Sequence, residues 1–546
     1  MKFFHRLTPL GCLALLCLLP NQGHAQVEFS SSNLPIIVIN TNGAEIVDEP
    51  KINVFLGVIN NGAGQRNNIN DPYTDYQGTV GIEIRGSSSQ ALFPKKQYGV
   101  EVRNPNGSDS AVSLLGMPAE SDWVLYAPYS DKSLMRNILA YQLGRDLGHY
   151  APRTKLCEVV LNGSYQGIYV LIEKIKRDQN RVDVARLRED ETSGDDLTGG
   201  YILKIDKGEE AGWTSDYPPP RRAQNQTIVF RYEYPDEDDI TAEQKTYIRQ
   251  FVSDFEDVLA GDSFADPDAG YARYTDVSSF VDYLIANEVA RNPDAYRIST
   301  FLHKQKDSDG GKLVMGPIWD FNLGFGNVDF CLGGSPEGLV LRYNSVCPED
   351  FWLIPFWWDR LAEDPAFVQR VANRWAELRA DVLSTERVMA QIDSVANLVG
   401  EAQERNFVRW PVLGEYVWPN ASVEATYAEE VAYLRNWTTD RLNWLDANLS
   451  RELSLVTDLP PEAPAETLRV YPNPFDEAIT IRLGSPAEEA VSVRFYNLLG
   501  SIVQSSSHES TSDQTIRLNT STLPAGLYIV RLQVDSQQLT QKVNKR

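Results

Sequence analysis

Positive charge, histidine and cysteine are all scarce in this 546-residue sequence. Lys and Arg number 51 against 75 Asp and Glu, which gives a formal net charge of −24. A protein this acidic is a poor general binder of nucleic acid or anionic lipid, so we expect no nucleic-acid partner. Only Cys157, Cys331 and Cys347 follow residue 25, and no histidine clusters with them, which excludes a zinc site built on these thiols.

Long apolar runs are missing beyond the N-terminus, so we expect no transmembrane segment in the mature chain. Near the N-terminus, Lys2 and Arg6 precede an apolar run, Leu7 to Leu19, and a small-residue triplet ends at Ala25. These features are typical of a secretory signal peptide, which we predict over residues 1–25. The alternative is an N-terminal membrane anchor, for which the apolar run is short.

The rest of the composition is that of a folded protein, with 42% hydrophobic, 10% aromatic and 23% charged residues. These values exclude wholesale disorder and fibrous repeats, and the length suffices for about two to four domains. Export would permit a disulfide between Cys331 and Cys347. By loop closure it would contribute about 3 kcal/mol to stability.

A Pro-rich stretch over 454–466 predicts an extended linker between a body, residues 26–453, and a tail, residues 467–546. Short alternating segments with turn residues between them predict that the tail is a small all-β, immunoglobulin-like sandwich. The predicted tail strands are Ala478–Leu483, Val491–Phe495, Thr515–Leu518 and Tyr528–Val534.

Four motifs are spaced along the tail, namely Tyr471–Phe475, Tyr496–Gly500, Leu523–Tyr528 and Gln541–Val543. Together they resemble the sorting domain that the type IX secretion system of Bacteroidetes recognises. The resemblance implies that the chain is secreted or displayed at the cell surface, with the type IX machinery as a partner. A generic immunoglobulin-like binding module is the alternative.

The body changes character along its length. Its first half contains alternating or apolar segments between Gly and Asn turns, which predict strands. Its second half has helical apolar spacing, and Thr241 with Gln244 forms a capping box before one of the helices. We therefore predict an α+β body of two lobes, a strand-rich N-lobe and a helix-rich C-lobe with a cleft between them.

Two aspartates flank a predicted β-hairpin in the second half of the body. Asp294 precedes the strand Thr300–Lys304, and Asp320 follows the strand Lys312–Met315. Because a hairpin returns the chain, the two carboxylates are expected near each other at its open end. In kinases with this layout, one acid accepts the proton of the attacking hydroxyl and the other holds magnesium on the phosphates.

Candidate metal ligands surround the second of these aspartates. Magnesium prefers hard oxygen ligands, which Asp320 together with Asn322 or Ser299 can supply. The same spacing is also typical of a purely structural turn.

A second candidate site lies between two strands of the first half. Arg85 opens a loop of small residues that includes Ser87 and Ser88, and Lys95 and Lys96 precede the next strand. Small residues let backbone N–H groups approach phosphates, and a lysine on a strand can neutralise them. An ordinary hairpin with a solvated lysine pair is the alternative.

Seven motifs follow one another in the body. They are Arg85–Ser89, Pro94–Lys96, Asp131–Asn137, Asn162–Glu173, Gly200–Leu203, Asn292–Asp294 and Trp319–Asp320. From about Leu34 to Asn448 the chain thereby resembles the CotH kinase family, atypical secreted protein kinases named for a spore-coat protein. The resemblance implies a kinase-like fold, ATP as the phosphoryl donor and Mg²⁺ or Mn²⁺ as the metal.

Residue by residue, the resemblance implies that Asp294 is the catalytic aspartate and Asp320 the metal-binding one. It leaves Lys95 and Lys96 as equal candidates for the lysine that contacts phosphate. Glu173 either borders the nucleotide or forms a surface ion pair.

The chain departs from the family at the metal site. Family members often have a second acid two residues after the metal-binding aspartate, where this chain has Asn322. Ser299 stands where the catalytic loop of ordinary kinases has Asn. One negative charge fewer weakens metal binding.

We therefore expect an exported, ATP-dependent protein kinase that transfers the γ-phosphoryl group to Ser or Thr of extracytoplasmic proteins. The alternative is a catalytically weak or dead pseudokinase that acts as a cell-surface scaffold or adhesin, which scarce extracellular ATP would favour. A third hypothesis, a glycan-active protein, requires a tryptophan-lined groove with carboxyl groups about 5–10 Å apart.

Overall fold

The computed structural model describes residues 27–208, 211–455, 468–483, 490–496, 502–508, 515–534 and 537–546. The predicted signal peptide over 1–25 lies outside these ranges, as does most of the predicted linker over 454–466. No helix within the described ranges has both the length and the apolar character needed to cross a bilayer.

The first part of the body is built from nine strands. They are β1 (Ser31–Ser32), β2 (Ile36–Asn40), β3 (Ile52–Ile59), β4 (Asn67–Asn68), β5 (Tyr76–Arg85), β6 (Gln97–Arg103), β7 (Asp122–Tyr126), β8 (Thr154–Leu161) and β9 (Ser164–Glu173). Seven of them form a closed barrel in the order β2-β3-β5-β6-β7-β9-β8. The barrel closes through a parallel pairing of β2 with β8, which brings Val38 opposite Val160. Closure leaves the barrel without an exposed strand edge.

Three helices accompany the barrel, namely α1 (Ser88–Leu92), α2 (Arg136–Asp146) and α3 (Gly194–Leu197). The start of α2 is fixed by Asp131, whose carboxylate accepts hydrogen bonds from the backbone N–H of Arg136 at 2.8 Å and from its guanidinium at 2.6 Å. Leu139 and Leu143 of α2 are buried in the main hydrophobic core of the body.

A five-stranded antiparallel sheet follows the barrel. Its strands are β10 (Tyr201–Ile205), β11 (Gly212–Thr214), β12 (Val229–Tyr234), β13 (Thr300–Lys304) and β14 (Leu313–Met315), in the order β11-β12-β10-β13-β14. The predicted hairpin is confirmed, because β13 and β14 pair antiparallel with Leu302 opposite Met315. On its other edge β13 pairs with β10, so the end of β10 lies beside the chain that leads into the hairpin.

Eight further helices complete the body. They are α4 (Ala242–Ala260), α5 (Val277–Ala290), α6 (Tyr343–Val346), α7 (Trp357–Glu363), α8 (Pro365–Arg379), α9 (Thr385–Leu398), α10 (Gly400–Arg409) and α11 (Tyr427–Ser454). Single 3₁₀ turns occur at Tyr271–Arg273, Asp307–Asp309 and Val340–Arg342. The predicted capping box of Thr241 and Gln244 forms at the start of α4. The strand-rich and helical regions agree with the prediction, whereas the division into two lobes stays a prediction.

A buried ion pair joins two helices of the body, α5 and α11. Arg441 Nη2 lies 3.0 Å from Glu288 Oε2, and both side chains are fully buried. Burial lowers the pKa of Arg441 to about 9 and raises the pKa of Glu288. Glu288 also accepts the backbone N–H groups of Val340 and Leu341. The pair therefore anchors α5, the helix that leads into Asp294.

Replacing Arg441 by Met is expected to lower the free energy of unfolding by about 3–5 kcal/mol, because Glu288 would remain buried without its cationic partner. Urea denaturation followed by tryptophan fluorescence measures the change. The matched control is Arg451→Met on the same helix, where the exposed pair with Glu452 is worth at most about 1 kcal/mol. Equal effects of the two substitutions would contradict the prediction.

The tail forms two antiparallel sheets, as predicted for a small sandwich. Its strands are β15 (Leu468–Tyr471), β16 (Ala478–Leu483), β17 (Val491–Tyr496), β18 (Ile502–His508), β19 (Thr515–Asn519), β20 (Gly526–Val534) and β21 (Gln537–Lys545). The sheet orders are β15-β16-β19 and β18-β17-β20-β21. Ile479, Val493 and Val530 are buried in a hydrophobic cluster that belongs to the tail alone.

Candidate functional site

A cavity of about 2020 Å³ is lined by residues of the barrel, the five-stranded sheet and the tail. Seven of the ten predicted site residues line this one cavity, although they come from distant parts of the sequence. They are Arg85, Ser87, Ser88, Asp294, Ser299, Asp320 and Asn322.

Helix α2 holds the turn that carries Asp320. The backbone N–H of Asp320 donates to Tyr141 Oη at 3.1 Å, and the next N–H, of Phe321, donates to Asn137 Oδ1 at 2.7 Å. Trp319 stacks on the Tyr141 ring at 5.9 Å. Asp320 itself has a left-handed backbone with φ of +60°, a conformation that most residues avoid and that is common at functional sites. The contacts with α2 hold this backbone in place.

The electrostatic environment of Asp320 is unusual for a carboxylate. Burial, and next the neighbouring Asp294 carboxylate, raise the pKa of Asp320 to about 6, while Lys207 and Arg85 partly oppose the shift. The two predicted acids therefore lie close enough to feel each other's charge. Burial lowers the pKa of Arg85 despite its attraction to Asp320.

We expect Asp320→Asn to raise stability most at neutral pH. The folded chain keeps the Asp320 proton up to a pKa of about 6, whereas the unfolded chain releases it near pH 4. Stability therefore falls as pH rises between these values, and the variant escapes this loss. Its advantage should be about 2 kcal/mol larger at pH 7.5 than at pH 4.5 in urea unfolding of the metal-free protein. An advantage independent of pH would contradict the raised pKa.

Asp294 follows α5, which ends where Arg291 adopts a left-handed backbone with φ of +46°. Arg297, almost fully buried, donates from Nη2 to Asp294 Oδ1 at 2.9 Å. The same guanidinium lies over the Tyr343 ring at 3.9 Å. Arg297 thus fixes the orientation of the Asp294 carboxylate and leaves it lining the cavity.

Sequence reasoning missed two residues at the end of β10 that line the same cavity, Asp206 and Lys207. Asp206 accepts hydrogen bonds from the backbone N–H groups of Lys207 and Ser299, and burial raises its pKa. The Lys207 ammonium lies 3.5 Å from Ser88 Oγ. The available signal is their position three and four residues after Gly200–Leu203, a motif of the family resemblance to which no role is assigned.

The remaining three predicted site residues, Lys95, Lys96 and Glu173, do not line the cavity. Lys95 is buried and donates to the Ile168 carbonyl at 2.6 Å and to Asn406 Oδ1 at 2.9 Å. Lys96 donates to the carbonyl groups of Gln90 and Phe93, at 2.6 and 2.8 Å. Both amines thus donate hydrogen bonds to oxygen atoms of neighbouring segments, and neither lines the cavity.

Glu173 does not line the cavity either. It is fully buried, lies 2.9 Å from Arg153 Nη1 and accepts a hydrogen bond from Tyr150. Its carboxylate therefore joins β9 to the segment before β8.

The donor set around Asp320 fits a hard divalent cation. No described residue donates a hydrogen bond to its carboxylate, and Asn322 and Ser299 line the same cavity with further oxygen atoms. In the parts of the chain that the structure describes, no three His, Cys, Asp or Glu side chains cluster as a complete metal site. Magnesium characteristically takes one or two protein carboxylates and completes its shell with phosphate oxygens and water.

Comparison with known proteins agrees with both resemblances. The family model described as CotH kinase protein matches residues 82–445, which is more than half of the chain. The model of the secretion-system C-terminal sorting domain matches residues 469–546 and indicates export to the cell surface or the medium. No curated protein matches the chain.

Proposed function

Because the chain belongs to the CotH kinase protein family, we propose that it is an exported, ATP-dependent protein kinase acting on Ser or Thr of extracytoplasmic proteins. Family membership makes the chain kinase-like. We propose beyond this that the chain is catalytically active and that it uses ATP together with Mg²⁺ or Mn²⁺. The sorting domain supports a location outside the cytoplasm, and the signal peptide predicted over 1–25 would start that route.

One observation carries the proposal: Asp294 and Asp320 line the same cavity as cationic side chains from another segment. Asp294 and Asp320 lie on either side of the β13–β14 hairpin in the chain, and the charge of Asp294 contributes to the raised pKa of Asp320. Lys207 and Arg85 interact with Asp320 strongly enough to oppose the rise in its pKa. A site that pairs acids with nearby cations suits a phosphate chain bridged to a metal ion.

In the proposed reaction, Asp294 accepts the proton of the acceptor hydroxyl. At the same time, the oxygen of that hydroxyl forms a bond to the γ-phosphorus of ATP. The bond from that phosphorus to the bridging oxygen breaks, and ADP leaves with the electron pair. Magnesium, held by Asp320 with Asn322 or Ser299, would neutralise charge on the phosphates. Arg85 and Lys207 would hold the phosphates, and Arg297 would keep the Asp294 carboxylate aimed at the acceptor.

Incubation of the exported chain with γ-labelled ATP, Mg²⁺ or Mn²⁺ and a panel of exported proteins tests the proposal. We expect label on Ser or Thr of an acceptor, and a rise in the thermal midpoint that requires ATP and metal together. Absence of both transfer and stabilisation would refute it. Stabilisation without transfer would favour the pseudokinase.

Lys207→Met is expected to weaken Mg-ATP binding at least about tenfold, because a charge-assisted hydrogen bond is worth roughly 1.5–3 kcal/mol. Isothermal titration calorimetry measures the affinity. Lys155→Met, an exposed lysine on β8 outside the cavity, is the matched control and should bind normally. Suppose instead that Lys207→Met binds Mg-ATP normally, whereas Lys95→Met or Lys96→Met loses affinity. The phosphate contact would then be assigned to one of the two lysines before β6.

A second candidate function is a surface scaffold with a degenerate site. It is favoured by Asn322, which lines the cavity at the position where family members often have a second acid. Such a protein should bind partners without ATP and should keep this binding when Asp320 is replaced.

A further inference from the structure

An exposed apolar surface borders the proposed catalytic base. It consists of Phe330, Leu332, Val346, Phe351 and Trp352, which all line the cavity and are called the apolar shelf below. Phe351 is 73% exposed and Leu332 is 64% exposed. Exposed apolar side chains gathered at one cavity of a folded protein commonly mark a binding site for another molecule.

The shelf is built to stay in place. The expected disulfide between Cys331 and Cys347 forms and ties its two segments together. Cys331 and Leu332 both have left-handed backbones, with φ of +49° and +56°, which turn the chain sharply at this point. Phe351 packs edge-on against Trp352 at 4.9 Å. A surface ordered before binding loses less conformational entropy when a partner docks.

Arg297 connects the shelf directly to Asp294. Besides its bond to Asp294, the guanidinium donates to the Trp352 carbonyl at 3.0 Å and lies 3.3 Å from Asp350 Oδ1. One buried side chain thus fixes the distance between the base and the shelf. A molecule bound on the shelf is thereby held at a set distance from the Asp294 carboxylate.

The cavity is larger than a nucleotide needs. Pockets for small ligands measure about 300–1,000 Å³, whereas this cavity measures about 2020 Å³. Leu527 and Ile529 of the tail line it as well, so apolar side chains are present on the tail as on the shelf. An extended polypeptide with a bulky apolar side chain fits such a groove, and a small polar acceptor would leave it largely empty.

We infer that the apolar shelf is the docking surface for the acceptor polypeptide, and that it selects segments with a bulky apolar residue close to the Ser or Thr to be phosphorylated. The inference rests on the proposed function and adds the class of acceptor to it. Arg297 sets the spacing between the apolar residue and the hydroxyl, so the preference falls at a fixed position on one side of the hydroxyl.

The test is an arrayed peptide library with a central Ser or Thr, in which each flanking position in turn carries one fixed residue. With γ-labelled ATP, the full chain should label peptides with Leu, Met, Phe or Trp at one position about tenfold more than those with Ala. Phe351→Ser should reduce this preference to less than about twofold. Because Phe351 is mostly exposed, the variant should fold normally, which its thermal midpoint verifies.

Val408→Ser is the matched control, since Val408 is an exposed apolar residue on α10 outside the cavity, and it should keep the full preference. Labelling without an apolar preference, or a preference that survives in Phe351→Ser, would overturn the inference and leave the kinase proposal intact. No labelling of any peptide and no stabilisation by Mg-ATP would overturn both.

Discussion

Asp294→Asn is expected to lower the rate of phosphoryl transfer about 10³-fold while Mg-ATP binds as before. An amide cannot take the proton of the acceptor hydroxyl, and a positioned general base typically contributes about 10²–10⁴-fold. The amide oxygen can still accept the hydrogen bond from Arg297, so the local structure should persist. Single-turnover transfer measures the rate, and calorimetric titration with Mg-ATP measures the affinity.

Asp350→Asn is the matched control for this prediction. Asp350 also lies beside the Arg297 guanidinium, at 3.3 Å, so its replacement disturbs the same cation without removing the proposed base. We expect a loss of less than about tenfold, seen mainly as a weaker affinity for the acceptor. Transfer at the normal rate by Asp294→Asn would remove Asp294 from the role of base.

Asp320→Asn is expected to abolish both Mg-dependent binding of ATP and phosphoryl transfer, with a rate loss of at least about 10³-fold. The variant removes the carboxylate nearest the proposed metal, and Asn322 and Ser299 offer only neutral oxygens. Yet the same substitution should stabilise the metal-free protein at pH 7.5, because it relieves the cost of a buried charge. Thermal unfolding with and without Mg-ATP separates the two effects.

A gain in stability of Asp320→Asn together with a loss of its function would rule out misfolding as the cause of that loss.

Asp329→Asn is the matched control, since Asp329 also lines the cavity and burial raises its pKa to about 6. Its carboxylate is engaged by Tyr416 and Arg531, so we assign it no metal. It should retain Mg-ATP binding. Transfer by Asp320→Asn at the wild-type rate would refute the metal assignment.

Local patterns predicted several elements of the body. The capping box predicted at Thr241 appears at the start of α4, and the hairpin of β13 and β14 forms as its polar turn suggested. Both depend on residues within one short segment of the chain. The closed barrel was not predicted, since its closure joins Val38 to Val160, which are far apart in the sequence.

In the candidate site, too, residues close to each other along the chain were predictable, and residues from distant segments were not. Asp294 and Asp320 could be chosen from the sequence because a short hairpin must bring its two ends together. The phosphate-contacting lysine could not, because Lys95, Lys96 and Lys207 all lie next to strands. Only the fold reveals which of the three amines lines the cavity.

The amino-acid sequence by itself determined the two resemblances, the hairpin that pairs the acids, and the disulfide partners once export was assumed. These follow from residue types and spacings within short segments. Only the tertiary structure decided that Lys95 donates a hydrogen bond to Asn406, 311 residues away, while Lys207 lines the same cavity as Asp320. The physical reason is that an amine's environment depends on which distant segments pack around it, and no local pattern encodes that packing.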